Sequence, residues 1–124
     1  MGLAVVVGGA SGIGAAVVAR HRAAGTEVVV WDISDGADIS CDISDAEAVD
    51  AAATRTIADH GVPDTVTITA GIGHGAMLLD ASAEDWDRVI GVNAKGVWLT
   101  MRALARPMLD GGGGSIVAIS SVSA

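Results

Sequence analysis

The stretch Leu3-Ala4-Val5-Val6-Val7-Gly8-Gly9-Ala10-Ser11-Gly12-Ile13-Gly14 decides the fold. Five apolar residues without a polar break read as a central parallel strand, buried on both faces. A glycine cluster follows, and from Ile13 the pattern turns helical, with Ile13, Val17 and Ala24 on one side. Strand, glycine turn and helix in that order make a phosphate seat. The glycines let the backbone bend sharply and approach a diphosphate, while unpaired helix N–H groups and the helix dipole attract the anion. The spacing is G-x-x-x-G-x-G from Gly8 to Gly14. The commoner G-x-G-x-x-G fingerprint is not met, because Val17 occupies its last glycine position.

Outward from this turn, strand and helix patterns alternate. Gly25 is placed to cap the first helix, and Glu27 to Trp31 reads as a second apolar strand closed by Asp32. A weak third strand covers Ala37 to Cys41. Ser44 and Glu47 have capping-box spacing and open a helix that runs to about His60 and stops at Gly61. Thr65 to Thr69 is strand-like, and Ala70 to Gly75 is a loop. Ser82 begins the longest helix, carried by Trp86, Ile90, Val97, Met101 and Leu104 and ended by Pro107 and Gly111 to Gly114. Ser115 to Ser120 reads as a fifth strand. Such alternation implies an α/β fold, an open doubly wound parallel sheet joined by right-handed crossovers. No linker interrupts it, so residues 1–124 are expected to form a single domain.

Asp32 lies 18 residues beyond Gly14, close to the roughly 20-residue offset of an acid that binds a ribose 2′-hydroxyl. Its charge also discriminates between cofactors. A carboxylate about 4 Å from a phosphate costs on the order of 4 kcal/mol per charge pair at an effective dielectric of 20, falling toward about 1 kcal/mol where water reaches the pair. Ile33 and Ser34 follow Asp32 and Ser11 fills the loop, so no cation stands beside it. NAD is therefore favoured over NADP. The alternative is a strand-end aspartate that merely caps a turn.

Composition excludes several classes. Seven basic and fifteen acidic residues give a net charge of −8, which disfavours nucleic-acid binding through a basic patch. No apolar run approaches a membrane span in length, and the first residues lack the basic region of a secretory signal. The one cysteine, Cys41, cannot form an internal disulfide, so a cytoplasmic location is expected. No metal site is suggested.

With these residues in place, the chain resembles the short-chain dehydrogenase/reductase family over essentially its whole length. The family's T-G-x-x-x-G-x-G is matched from Gly8 to Gly14, including Ser11, Gly12 and Ile13, with Val7 where threonine is usual. Its acid at the end of the second strand matches Asp32, and its adenine-contacting Asp-Val pair is similar to Asp42-Ile43. Its N-N-A-G appears as Ile68-Thr69-Ala70-Gly71, with Ala70 and Gly71 kept and both asparagines replaced. The stretch Trp86-x-x-Val89-Ile90-x-Val92-Asn93-x-x-Gly96 looks like the segment that carries the family's catalytic asparagine. Ile119-Ser120-Ser121 resembles the segment that carries its catalytic serine.

The resemblance implies a Rossmann fold with strand order 3-2-1-4-5, incomplete at its C-terminal side, and hydride exchange between NAD and a secondary alcohol or ketone. It gives Ser121 a hydrogen bond to the substrate oxygen and Asn93 a backbone carbonyl that holds a water in a proton relay. It also implies a homo-oligomer formed through the long helix 83–109. Read without the family, a Ser-Ser at a strand end is a turn. Asn93 interrupts the apolar stripe of its helix, and burying its amide unpaired would cost roughly 1–3 kcal/mol, so partners are expected.

The family's remaining catalytic pair is Tyr-x-x-x-Lys. This chain has no tyrosine, and its one lysine, Lys95, lies two residues after Asn93. A lone loop histidine, His74, is more readily solvated than catalytic. The chain therefore reads as the N-terminal half of such an enzyme and is expected to be inactive by itself. The competing reading is a dinucleotide-binding module that performs no chemistry.

Overall fold

Leu3–Val7 forms β1, buried at every position, because it is hydrogen-bonded to a parallel neighbour on each side and covered by helices on both faces. The computed structural model describes residues 2–122. After β1 come α1 (Gly12–Ala23), β2 (Glu27–Asp32), β3 (Ile39–Ser40), α2 (Ala46–His60) and β4 (Thr65–Ile68). A long helix follows in three parts, α3 (Ala83–Ile90), a π-helical segment (Gly91–Gly96) and α4 (Val97–Asp110), and leads to β5 (Ser115–Ala118). The strands make one parallel sheet in the order β3-β2-β1-β4-β5. Register is fixed about β1, where Val5 pairs with Val29 on one side and Val66 on the other.

The two faces of the sheet are filled unequally. On one, Leu3, Val5, Val7, Val66 and Ile68 meet Val49, Ala52 and Ala53 of α2 and Leu99, Leu104 and Met108 of α4. On the other, Val6 and Val30 meet Val18 of α1, with Val17 and Val28 at the margin. Trp31 is fully buried in the larger cluster and donates its indole N–H to the Thr56 hydroxyl at 3.0 Å.

Several local expectations are corrected. The residues of α1 that face the sheet are Gly14 and Val18; Ile13 is 61% exposed and Ala24 is exposed. α2 is capped by Asp45, whose carboxylate accepts from the Glu47 and Ala48 N–H groups, because the Ser44 hydroxyl is spent on Asp42 at 2.7 Å. β3 is shortened because the Asp38 carboxylate accepts the Val30 N–H at 2.8 Å, a position the strand would otherwise fill. Pro107 lies inside α4 rather than at its end. The helix stops at Asp110, where Gly111 and Gly113 donate to the carbonyls of Pro107 and Met108 at 2.9 and 2.7 Å. The helix stripe is also wetter than its spacing implied: Trp86 and Trp98 are 67% and 55% exposed, and the buried side of α4 is Leu99, Thr100, Leu104 and Met108.

Candidate functional site

The carboxyl ends of β1, β2 and β4 open into a cavity of about 300 Å³. Its floor is the glycine turn. Gly8 has φ +83° and donates its N–H to the Trp31 carbonyl at 2.8 Å, which bends the chain away from the sheet. A Cβ at Gly14 would run into the Gly8 carbonyl, so α1 can start against the turn only with glycine there. Thr69 closes the turn from β4. Its hydroxyl donates to the Val7 carbonyl at 2.9 Å and lies 3.2 Å from the Gly8 carbonyl. Ser11 stands at the N-cap of α1 in extended conformation without a side-chain capping bond, and no acid occupies the first turn. The end of this helix thus presents unsatisfied N–H groups and a positive dipole end to the cavity wall.

Asp32 sits half-buried at the end of β2. One of its oxygens accepts the Ala10 N–H at 3.1 Å and the other the Ser34 N–H at 3.2 Å. It therefore caps a turn and also brings a carboxylate to the cavity. Asp42 and Ile43 form the next wall. Asp42 is exposed and accepts from the Ser44 N–H at 3.0 Å, while Ile43 is buried. Ala70 and Gly71 complete the far side, with the Ala70 N–H donating to the Val7 carbonyl at 3.2 Å. All ten residues expected to bind a cofactor (Gly8, Ser11, Gly12, Ile13, Gly14, Asp32, Asp42, Ile43, Ala70 and Gly71) line this one cavity.

The two expected catalytic residues do not line it. Asn93 is exposed rather than buried, yet it has two partners: its Oδ1 accepts the Ile72 N–H and its Nδ2 donates to the Ile72 carbonyl, each at 2.8 Å. The side-chain amide thereby pairs like a short strand with a residue that does line the cavity. Ser121 lies exposed beyond β5, two residues after Ile119, whose N–H donates to the Ile68 carbonyl at 3.0 Å. His74 is drawn to α3. Its Nε2 is 3.2 Å from an Asp85 oxygen and its Nδ1 is 3.4 Å from an Arg88 nitrogen. Asp85 is held below the usual carboxylate range by the Ser82 hydroxyl and backbone N–H, with His74 and Arg88 adding to the effect.

Sequence reasoning overlooked Thr69 as a clamp, as well as Trp31, Cys41, Ile72 and Val92 as lining residues. A hydroxyl immediately after a strand and before Ala-Gly was the available signal for Thr69. The Cys41 thiol is pushed up to about 11, first by burial and then by Asp42 and Asp45, so it is neutral at ordinary pH. Among the described residues no three His, Cys, Asp or Glu side chains converge as metal ligands, and no helix is long and apolar enough to cross a membrane.

A short chain dehydrogenase family model matches residues 2–124. The chain is 40% identical to a probable oxidoreductase, EphD, of Mycobacterium tuberculosis, with 98% of this chain and 24% of that protein covered. It is 33% identical to D-threitol dehydrogenase of Mycolicibacterium smegmatis, with 98% of this chain and 53% of that protein covered. The structure of Thermoplasma acidophilum aldohexose dehydrogenase superposes with a TM-score of 0.92 at 28% identity, over 98% of this chain and 49% of that one. The chain thus spans from about a quarter to about half the length of these relatives. Its strand order, its glycine turn and the family match over residues 2–124 place it in the short-chain dehydrogenase family.

Proposed function

We propose that this chain is the NAD-binding part of an oxidoreductase that exchanges a hydride between NAD and a secondary alcohol or ketone. The observation that carries the reading is one cavity that joins an uncapped helix end, a turn with no room for a Cβ, and the Asp32 carboxylate. That donor set fits a dinucleotide. Backbone N–H groups of the Gly8–Gly14 turn and Ser11 suit a diphosphate, Asp32 suits an adenosine ribose, and Asp42 with Ile43 suits an adenine. Ala70 and Gly71 flank the nicotinamide side. When bound, the nicotinamide supplies the carbon that accepts or releases the hydride.

The chain's own residues bind and orient. Asp32 keeps the turn in place through Ala10 while its charge rejects a 2′-phosphate. Asn93 holds Ile72 at the cavity edge and offers its backbone carbonyl to a relay water. Ser121 donates a hydrogen bond to the substrate oxygen. The reading includes a cytoplasmic location, in keeping with one buried thiol, and a homo-oligomer formed through helix 83–109, in keeping with exposed Trp86, Trp98 and Met101. The alternative reading is a dinucleotide-binding module that performs no chemistry.

Calorimetric titration of the purified chain tests the cofactor. NAD binds more tightly than NADP, and Asp32→Ala shrinks that preference by about tenfold, the equivalent of one 1.4 kcal/mol charge interaction. Equal affinities in the parent chain refute the assignment to NAD.

A further inference from the structure

The π-helical segment lies directly on one wall of the cavity, and Gly96 is the reason it can. A Cβ at Gly96 would stand 2.6 Å from Ile43 Cγ1, 2.9 Å from Ile43 Cδ1 and 2.9 Å from the Ile43 carbonyl. Real Cβ atoms do not come so close, so the contact exists only with glycine. Its cause is close approach rather than backbone conformation, since Gly96 is not among the glycines with positive φ. The helix that continues the segment is seated in the core. The fully buried Thr100 hydroxyl grips the Gly96 carbonyl at 2.8 Å, and Leu99 and Leu104 anchor the following helix in the core. The same segment contributes Val92 to the cavity and holds Ile72 through Asn93.

We propose that Gly96 is a positioning residue for the nucleotide cavity: its missing side chain sets the place of Ile43, the wall assigned to the adenine. This rests on the nucleotide reading above and adds a residue that lies outside the cavity lining. Of the atoms nearest a methyl group at position 96, those of the Ile43 side chain are compliant and the Ile43 carbonyl is not, and the side chain yields by moving within the wall it forms.

The test is a double-mutant cycle in the purified chain, with ADP-ribose as the calorimetric probe and the Ile43 δ1-methyl resonance as a ligand-free readout. Gly96→Ala shifts that resonance and weakens ADP-ribose binding by about tenfold, the usual scale of overpacking by one methyl group. Ile43→Ala also weakens binding. The double variant binds better than the two separate losses multiplied would give, because the new methyl enters the space vacated by the Ile43 side chain and only the contact with the residue-43 carbonyl remains; a merely structural loss at Gly96 does not produce that rescue. Independent, multiplying losses overturn the proposal, as does a Gly96→Ala chain with parent affinity or an unmoved Ile43 methyl. If Gly96→Ala does not fold, the double variant decides: folding with measurable ADP-ribose binding supports the proposal, and failure to fold overturns it. A parent chain that ignores ADP-ribose overturns the nucleotide reading, and the ligand role of Gly96 with it, while the methyl resonance still reports separately on the packing.

Discussion

Trp31 shows how single residues hold the site from behind. Its ring is fully buried beneath the cavity and its N–H has one partner among the described residues, the Thr56 hydroxyl at 3.0 Å. Thr56→Val keeps the shape and removes the acceptor, leaving a buried donor unpaired at a cost of about 1–3 kcal/mol. Urea unfolding measures it, with Thr56→Ser close to the parent; equal midpoints for all three chains refute the account. Cys41 gives a pH prediction. Its thiol titrates near 11 in the folded chain against an ordinary value of 9.0, so folding favours the protonated form. That contribution is fully present below pH 9.0 and is lost as the pH rises toward about 11. Alkylation of the folded chain at pH 8 is accordingly slower than in urea by on the order of a hundredfold, from the smaller thiolate fraction. Equal rates contradict it. Cys41 was readable only as a lone thiol, because its neighbours across the cavity come from distant parts of the chain.

At the scale of elements, legibility followed the type of force. β1 was readable to the residue because a central parallel strand has to be apolar throughout, and Leu3–Val7 is. The inward face of α1 was not. Counting apolar side chains favours Ile13 and Ala24, both exposed, and Val17, which reaches only the core's margin, whereas the helix turns Gly14 inward because only glycine fits against the Gly8 carbonyl. The long helix was readable as a helix, but its π-helical segment was not, since nothing in a 3.6-residue pattern marks one extra residue per turn. Asn93 was recognisable as a polar interruption; that it would bond to Ile72 was not, because the partner is 21 residues away in a loop. Asn93→Ala removes both bonds to Ile72 and costs about 1–3 kcal/mol locally. Because Asn93 is exposed, that loss frees the loop and leaves the core intact. Amide exchange at Ile72 accelerates at least about tenfold while the global melting temperature stays nearly constant. Unchanged exchange at Ile72 excludes the proposed hold.

At the scale of the whole molecule, the chain concentrates binding groups in one cavity and offers few groups that could move a proton there. The titratable residues that line the cavity are Asp32, Cys41 and Asp42. The two carboxylates accept backbone N–H groups, and the thiol is protonated well above neutral pH. His74 is tied to Asp85 and Arg88, Lys95 is exposed on the π-helical segment, and there is no tyrosine. General acid–base chemistry works best with a group whose pKa lies near the working pH and within hydrogen-bond reach of the reacting oxygen. Neither the histidine nor the lysine is among the residues that line the cavity. Binding and turnover are therefore expected to separate in this chain: NAD titrates into the cavity, while a panel of secondary alcohols with NAD gives no NADH absorbance above a protein-free control. Measurable NADH production would mean that one of the cavity's own groups carries the proton. Repeating the assay with Asp32→Asn, Cys41→Ser and Asp42→Asn would then identify it, because only loss of the proton carrier would abolish the absorbance while NAD binding survived.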